Sequence, residues 1–262
     1  MIETERAFAA RAKVVGWKQS FLEDFADTAT GFDGENAGSA KDQIGGLPDP
    51  PKDMQLLWEP RYGDVAASGE LGYLTGPSTN VNPARNNGMP RYGNYASVWK
   101  RQGDGRYKVV MDVGVTTPGP TPFAAGFTRA PPAPRYAGKD TPEAAARSLR
   151  EADAALTKAA LGNRAAAYRG HLADGARLHI QNAQPLVGEG PILGWLASQP
   201  PLSTGETRYA EAARSADLGY TWGAYAAQAA GGDPVQKGFY MRVWTRERGG
   251  AWKLALDVLQ PQ

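Results

Sequence analysis

The chain has 262 residues, enough for two domains of ordinary size, and with 42% apolar and 21% charged residues its composition is globular and excludes a disordered chain. Lys and Arg number 29 against 27 Asp and Glu with no basic cluster, so a nucleic-acid surface is not expected. There is no cysteine, which excludes disulfides, thiolate metal sites and a Cys nucleophile, and no apolar run approaches the length of a membrane span.

The N-terminal stretch "MIETERAFAARAKVVGW" carries acids where an export signal needs a basic start and an apolar core. As written it implies a cytoplasmic protein, and a periplasmic one if the start has been trimmed. Phe8, Ala12, Val15, Phe21, Leu22 and Phe25 recur at three- and four-residue spacings, which predicts two helices broken near Gly16. Strand-like runs follow over 64–76. Residues 95–113, "YASVWKRQGDGRYKVVMDV", then read as a β-hairpin whose turn glycines can take positive φ. Residues 116–141 are rich in proline, which forbids a regular helix and predicts an extended linker, packed down through Phe123, Phe127 and Tyr136.

After the linker the order starts again. Thr141 as cap, Pro142 in the first turn and then Glu143 signal a helix start, and the helical pattern runs on around Gly162. Strand-like runs follow over 208–216 and 218–228, and "AAGGD" (229–233) reads as a turn. The second hairpin, residues 240–258, reads "YMRVWTRERGGAWKLALDV". Eight of its nineteen positions repeat the first hairpin: Tyr95, Val98, Trp99, Arg101, Gly105, Lys108, Asp112 and Val113 return as Tyr240, Val243, Trp244, Arg246, Gly250, Lys253, Asp257 and Val258. Upstream, "LGY" at 71–73 returns at 218–220, and "FADTATGF" (25–32) aligns with "LADGARLH" (172–179). One unit is written twice. The predicted fold is α+β, in two tandem domains at 1–115 and 142–262 joined by the linker 116–141, each with N-terminal helices on an antiparallel sheet.

The succession "FADTATGFDG", "LGYLTG", "VWKRQGDGRYKVV", matched in the second half, resembles the nuclear-transport-factor-2-like superfamily, which includes ketosteroid isomerase and the SnoaL-like polyketide cyclases. The resemblance covers nearly the whole chain outside the linker. It implies a cone-shaped domain with a curved sheet, an apolar pocket between sheet and helices, and pairing through the sheets, here as an intramolecular pseudo-dimer. It also implies, for an isomerase, a general base at Asp33, with a Tyr on the first helix and a protonated Asp on a strand as donors. This chain departs at both donors: the first helices hold no Tyr at that turn, and Ser97 stands at the strand position. In the second half the equivalents are Ile180 and Arg242. A turn-capping role for Asp33 is the competing reading.

Trp58, Tyr73, Tyr95 and Trp99 in the first half, and Trp195, Tyr220, Trp222 and Tyr240 in the second, would suit either an apolar-ligand pocket or a core. His179 is expected in the second pocket beside Arg242 and Asp257. Asp112 and Asp257, in otherwise apolar strands, must be paired or neutral, with Arg101, Lys108, Arg246 or Lys253 as partners. His171 and His179 do not form a metal spacing, no phosphate loop or Ser–His–Asp set is visible, and no cofactor is expected. Three functions stay open: a small-molecule binder or scaffold without a catalytic set, an isomerase-like enzyme on a hydrophobic carbonyl compound using Asp33, and a protein–protein module.

Overall fold

A computed structural model describes residues 1–227 and 236–262; the "AAGGD" turn and Gln228 lie outside them. The chain forms two compact units. The first comprises Met1–Asp64, Gly72–Ala130 and Gln181–Gln184, the second Val65–Leu71, Pro131–Ile180 and Pro185–Gln262.

The first unit opens with α1 (Ile2–Val15) and α2 (Trp17–Asp24), separated where Gly16 takes φ 86, a left-handed value that breaks a helix. Phe25, expected to end the helical stretch, instead begins β1 (Phe25–Phe32). Next come β2 (Ala37–Ser39), α3 (Ala40–Gly46), β3 (Gln55–Trp58), β4 (Tyr62–Val65), β5 (Leu71–Val81), β6 (Arg91–Arg101), β7 (Tyr107–Thr117) and β8 (Thr128–Arg129). The sheet runs β2-β1-β7-β6-β5-β4-β8, with β3 also on β5.

The second unit has α4 (Pro142–Ala160), α5 (Arg164–Tyr168), β9 (Leu172–Ile180), β10 (Leu186–Val187), α6 (Glu189–Ala197), β11 (Leu202–Ala212), β12 (Leu218–Ala227), β13 (Gln236–Arg246) and β14 (Trp252–Pro261). Its sheet runs β10-β9-β14-β13-β12-β11. The Thr141 side chain caps α4 by accepting from the Ala144 amide at 3.2 Å, with Pro142 at the first helical position. Part of the linker is ordered by this unit: the Arg246 guanidinium lies 3.9 Å over the Tyr136 ring, and the Arg135 backbone forms an isolated antiparallel β-bridge with that of Glu247.

The duplication is structural as well as textual. β1 pairs in parallel with β7 at Phe25↔Val109 and Thr30↔Met111, and β9 with β14 at the repeat positions Leu172↔Leu254 and Arg177↔Leu256. Each long hairpin carries one bulge at the same place, between Val98 and Trp99 in the first unit and between Val243 and Trp244 in the second. The bulge admits one extra residue on β7 and on β14, so strict alternation along those strands fails. Val109 and Asp112 share a face, and so do Leu254 and Asp257, because Trp99 pairs with Val109 while Ser97 pairs with Asp112, and Trp244 with Leu254 while Arg242 pairs with Asp257. The face holding Tyr95, Ser97 and Trp99, or Tyr240, Arg242 and Trp244, is the one under the unit's first helix. It is the interior of each unit.

Candidate functional site: the helix-facing interiors

Glu5 sits on the apolar stripe of α1 with Phe8, Ala9 and Ala12, and it is fully buried. Two indoles close on it: Trp58 Nε1 donates to Oε1 and Trp99 Nε1 to Oε2, both at 2.6 Å. Phe8 packs edge-on against both tryptophans, with centroids 4.8 Å from Trp58 and 6.0 Å from Trp99. Burial pushes the Glu5 carboxyl up to about 8, with the Asp112 charge adding to the rise and the indole hydrogen bonds opposing it. Asp112 accepts from Ser97 Oγ at 2.5 Å, and burial raises it to about 6 against that bond. Asp112 is deep in the unit yet not sealed: it is only half-buried, and Gly114, two residues on along the same face, is exposed. The Tyr95 hydroxyl, on that face and under the charges of Glu5 and Asp112, is buried with no hydrogen-bond partner among the described residues.

The second interior is built on the same plan and closed. Asp153, on the apolar stripe of α4 between Leu149 and Leu156, is fully buried. It accepts from Tyr240 Oη at 2.6 Å, Thr207 Oγ1 at 2.5 Å, Thr221 Oγ1 at 2.9 Å and Arg242 Nη1 at 3.0 Å. Arg242 further donates to Thr157 at 2.9 Å, Tyr168 at 3.0 Å and Asp257 Oδ2 at 3.2 Å. Tyr168 Oη completes the ring to Asp257 Oδ2 at 2.5 Å, and the guanidinium stacks 4.0 Å from the Tyr240 ring centroid. One cation thus bridges two buried carboxylates, the condition under which buried charge is tolerated.

Several expectations need correction. Asp33 lies in the exposed turn after β1, where Oδ1 accepts from the Asn36 amide at 3.1 Å. It caps that turn and has none of the desolvation a general base of the expected kind requires. His179 does not join Arg242 and Asp257: it pairs with Val258 on β14, one residue off Asp257 and therefore on the opposite face. There it is wholly buried, neither ring nitrogen has a hydrogen-bond partner among the described residues, and burial drives its pKa down to about 3, helped by the Arg177 charge. Tyr220 and Trp222 also leave the pocket, since they pair with Val243 and Met241, away from Arg242. They pack instead against Tyr209, at 5.6 Å and 6.5 Å. Tyr73, at the repeat position of Tyr220, packs on Tyr62 at 6.5 Å. Trp195 sits half-buried on α6 under Arg164 at 5.5 Å. Arg101 and Arg246 turn back to the carbonyls of Gly105 and Gly250, and Lys108 and Lys253 to those of Glu23 and Gly170, so none of the four neutralises the strand acids.

The interiors therefore gather Trp58, Tyr95 and Trp99 in one unit and Tyr240, Arg242 and Asp257 in the other. Glu5 and Asp153 are the interior acids that sequence reasoning missed. The signal was available: each is an acid in register with its helix's apolar stripe, Glu5 with Phe8 and Ala12, Asp153 with Leu149 and Leu156. Separately, an open cleft of about 570 Å³ in the first unit is lined by Arg11, Glu23, Asp24, Lys41, Arg106 and Lys108. Its cations are spoken for: Arg11 by Glu23, Lys41 by Asp27 at 2.5 Å, Arg106 by Asp104 at 2.7 Å, and Lys108 by the Glu23 carbonyl.

No protein-family model and no curated protein matches the chain. Solved structures that match include proteins described as NTF2-like. One is an NTF2-like protein of unknown function from Pseudomonas putida KT2440, 14% identical, over 46% of this chain and 89% of that one, TM-score 0.39. Another is an NTF2-like protein from Cytophaga hutchinsonii ATCC 33406, 13% identical, over 44% and 97%, TM-score 0.37. A conserved protein from Planctomyces limnophilus DSM 3776 is 15% identical over 44% and 96%, TM-score 0.38. Among the described residues no helix is long and apolar enough to cross a membrane.

Proposed function

We propose that the protein binds a small molecule in the interior of the first unit, between Tyr95, Ser97 and Asp112 on the sheet and Glu5, Trp58 and Trp99 beneath the helix. The observation that carries this reading is the Tyr95 hydroxyl, buried and without a hydrogen-bond partner among the described residues, where its repeat counterpart Tyr240 is bonded to Asp153 and Thr207. A buried hydroxyl left open in this way costs stability unless a ligand or an ordered water serves it. Two substitutions between the repeats support the same conclusion. Ser97 stands where Arg242 fills the second interior, and exposed Gly114 stands where Leu259 is buried.

The test is a ligand-observed NMR screen of neutral and charged monoaromatic compounds, repeated on Ser97→Arg with folding checked by circular dichroism. Hits on the native protein that vanish in the folded variant are expected. Hits unaffected by the substitution place binding elsewhere and end this reading.

A second reading is favoured by the titration of the same two carboxyls. Acids pushed to about 8 and about 6 hold and release protons near neutrality, as acid–base chemistry on a carbonyl compound requires. Asp33 contributes nothing to it from its exposed turn. Turnover of an enolisable ketone that is lost in Asp112→Asn while binding persists is the outcome that would favour this reading over simple binding.

A further inference from the structure

We infer that the first unit's site takes a cation, an amidinium or primary ammonium group on a small aromatic body, held between Asp112 and Glu5 as Arg242 is held between Asp257 and Asp153. This deepens the proposed function and rests on the same interior. The second unit supplies the template. Arg242 projects from β13 and reaches the β14 acid at 3.2 Å and the first-helix acid at 3.0 Å, with a tyrosine ring 4.0 Å from its guanidinium carbon. The first unit keeps the β7 acid, an acid on its first helix and the tyrosine, has Ser97 in place of the arginine, and has Phe21 at the aligned position of Tyr168. It has retained a receptor for a cation and lost the tethered cation.

The surroundings agree. The Asp112 charge and, more weakly, that of Asp24 act on Glu5 and raise it, so acid faces acid. Ser97 and the two indoles are donors, which satisfy oxygens without balancing charge. The rings of Phe8, Trp58 and Trp99 cluster beside Glu5, and Tyr95 stands where Tyr240 stacks on Arg242, so an aromatic, delocalised cation suits the site. The unpartnered Tyr95 hydroxyl is an independent sign of a missing ligand group, since Tyr240 uses the same hydroxyl on the acid that binds Arg242. A cation entering this site converts neutral carboxyls into carboxylates, so binding releases protons and tightens as pH rises between about 6 and about 8.

The experiment uses the full chain and two matched pairs of probes: benzamidine against benzamide, and 2-phenylethylamine against 2-phenylethanol. Titrations are followed by the tryptophan indole N–H resonances and by calorimetry in two buffers of different ionisation enthalpy. The expected result is that the cations shift the Trp58 and Trp99 indoles and bind about tenfold or more tighter than their neutral partners. Proton release, and loss of the preference in Asp112→Asn, should accompany it. Because these resonances are read in the unmutated protein, a variant that fails to fold does not decide the matter. Neutral probes that shift the two indoles as strongly as the cations overturn the cation assignment and leave the interior site standing. Failure of all four probes to move those indoles overturns both.

Discussion

Glu5 illustrates how one residue sets a pH dependence for its unit. An acid whose ordinary value is 4.5 and whose folded value is about 8 keeps, in the folded state, a proton that the unfolded chain releases. Its contribution is therefore full below about 4.5 and is lost as pH rises to about 8. The slope approaches roughly 1.4 kcal/mol per pH unit for one such proton. Asp112 adds a second component in the lower window, between its ordinary 3.8 and about 6. Chemical denaturation of the native protein should thus show stability falling from pH 6.5 to 8. Glu5→Gln should be flat over that interval and retain only the Asp112 slope below it. The substitution has a cost of its own, about 1–3 kcal/mol, because the amide nitrogen cannot accept from the second indole. A variant whose stability still falls above pH 6.5 would show that Glu5 is not the titrating group.

At the scale of the elements, the bulged hairpin decides which side chains meet. Because the extra residue on β14 carries Asp257 to the face of Leu254, Arg242 meets it across the ladder and Asp153 from the helix. Removing the cation should leave two buried carboxylates unbalanced. Arg242→Ser is expected to cost about 3–5 kcal/mol by denaturant unfolding, with a good part of it recovered by millimolar benzamidine, which fills the space the arginine left. If benzamidine stabilises Arg242→Ser no more than it stabilises the native chain, the tethered arginine is not acting as the cation of that site. The same bulge marks the limit of what could be read in the letters. The hairpins were legible because Tyr, Trp and Asp recur at one spacing around Gly-containing turns, and α4 because Thr141 and Pro142 are unambiguous start signals. Alternation by twos, however, sets Asp112 against Val109 and Asp257 against Leu254, and it cannot reveal that one extra residue reverses this. The letters alone place His179, Tyr220 and Trp222 in a pocket for a related reason. Their facing depends on register with β14 and β13, which is fixed by tertiary pairing and leaves no local mark. Glu5 and Asp153 lay in apolar stripes, where an acid reads as a surface residue unless its helix is known to be covered on that side.

Across the whole molecule, the two copies have kept their backbone registers and diverged in how they balance interior charge. The second unit neutralises its acids with its own arginine and bonds every hydroxyl of Tyr168, Tyr240, Thr207 and Thr221. The first leaves two acids to hold protons and one tyrosine hydroxyl open. Polar groups buried without balance lower the stability of the element that holds them and are found where a protein binds or reacts. The duplication thus permits one copy to leave its interior acids without a cation while the other holds both of its acids on Arg242. The difference is measurable in a single sample by amide hydrogen exchange, corrected for intrinsic rates. Between pH 5.5 and 8, protection in β6 and β7 should fall relative to protection in β13 and β14, because Glu5 and Asp112 in the first unit lose protons over that range. Saturation with a cationic ligand at pH 8 should restore β6 and β7 toward the protection they have at low pH, since the ligand then supplies the charge that Arg242 supplies in the second unit. Equal pH responses in the two hairpins would mean that interior charge is balanced alike in both copies, and the contrast between Ser97 and Arg242 would then have no energetic consequence.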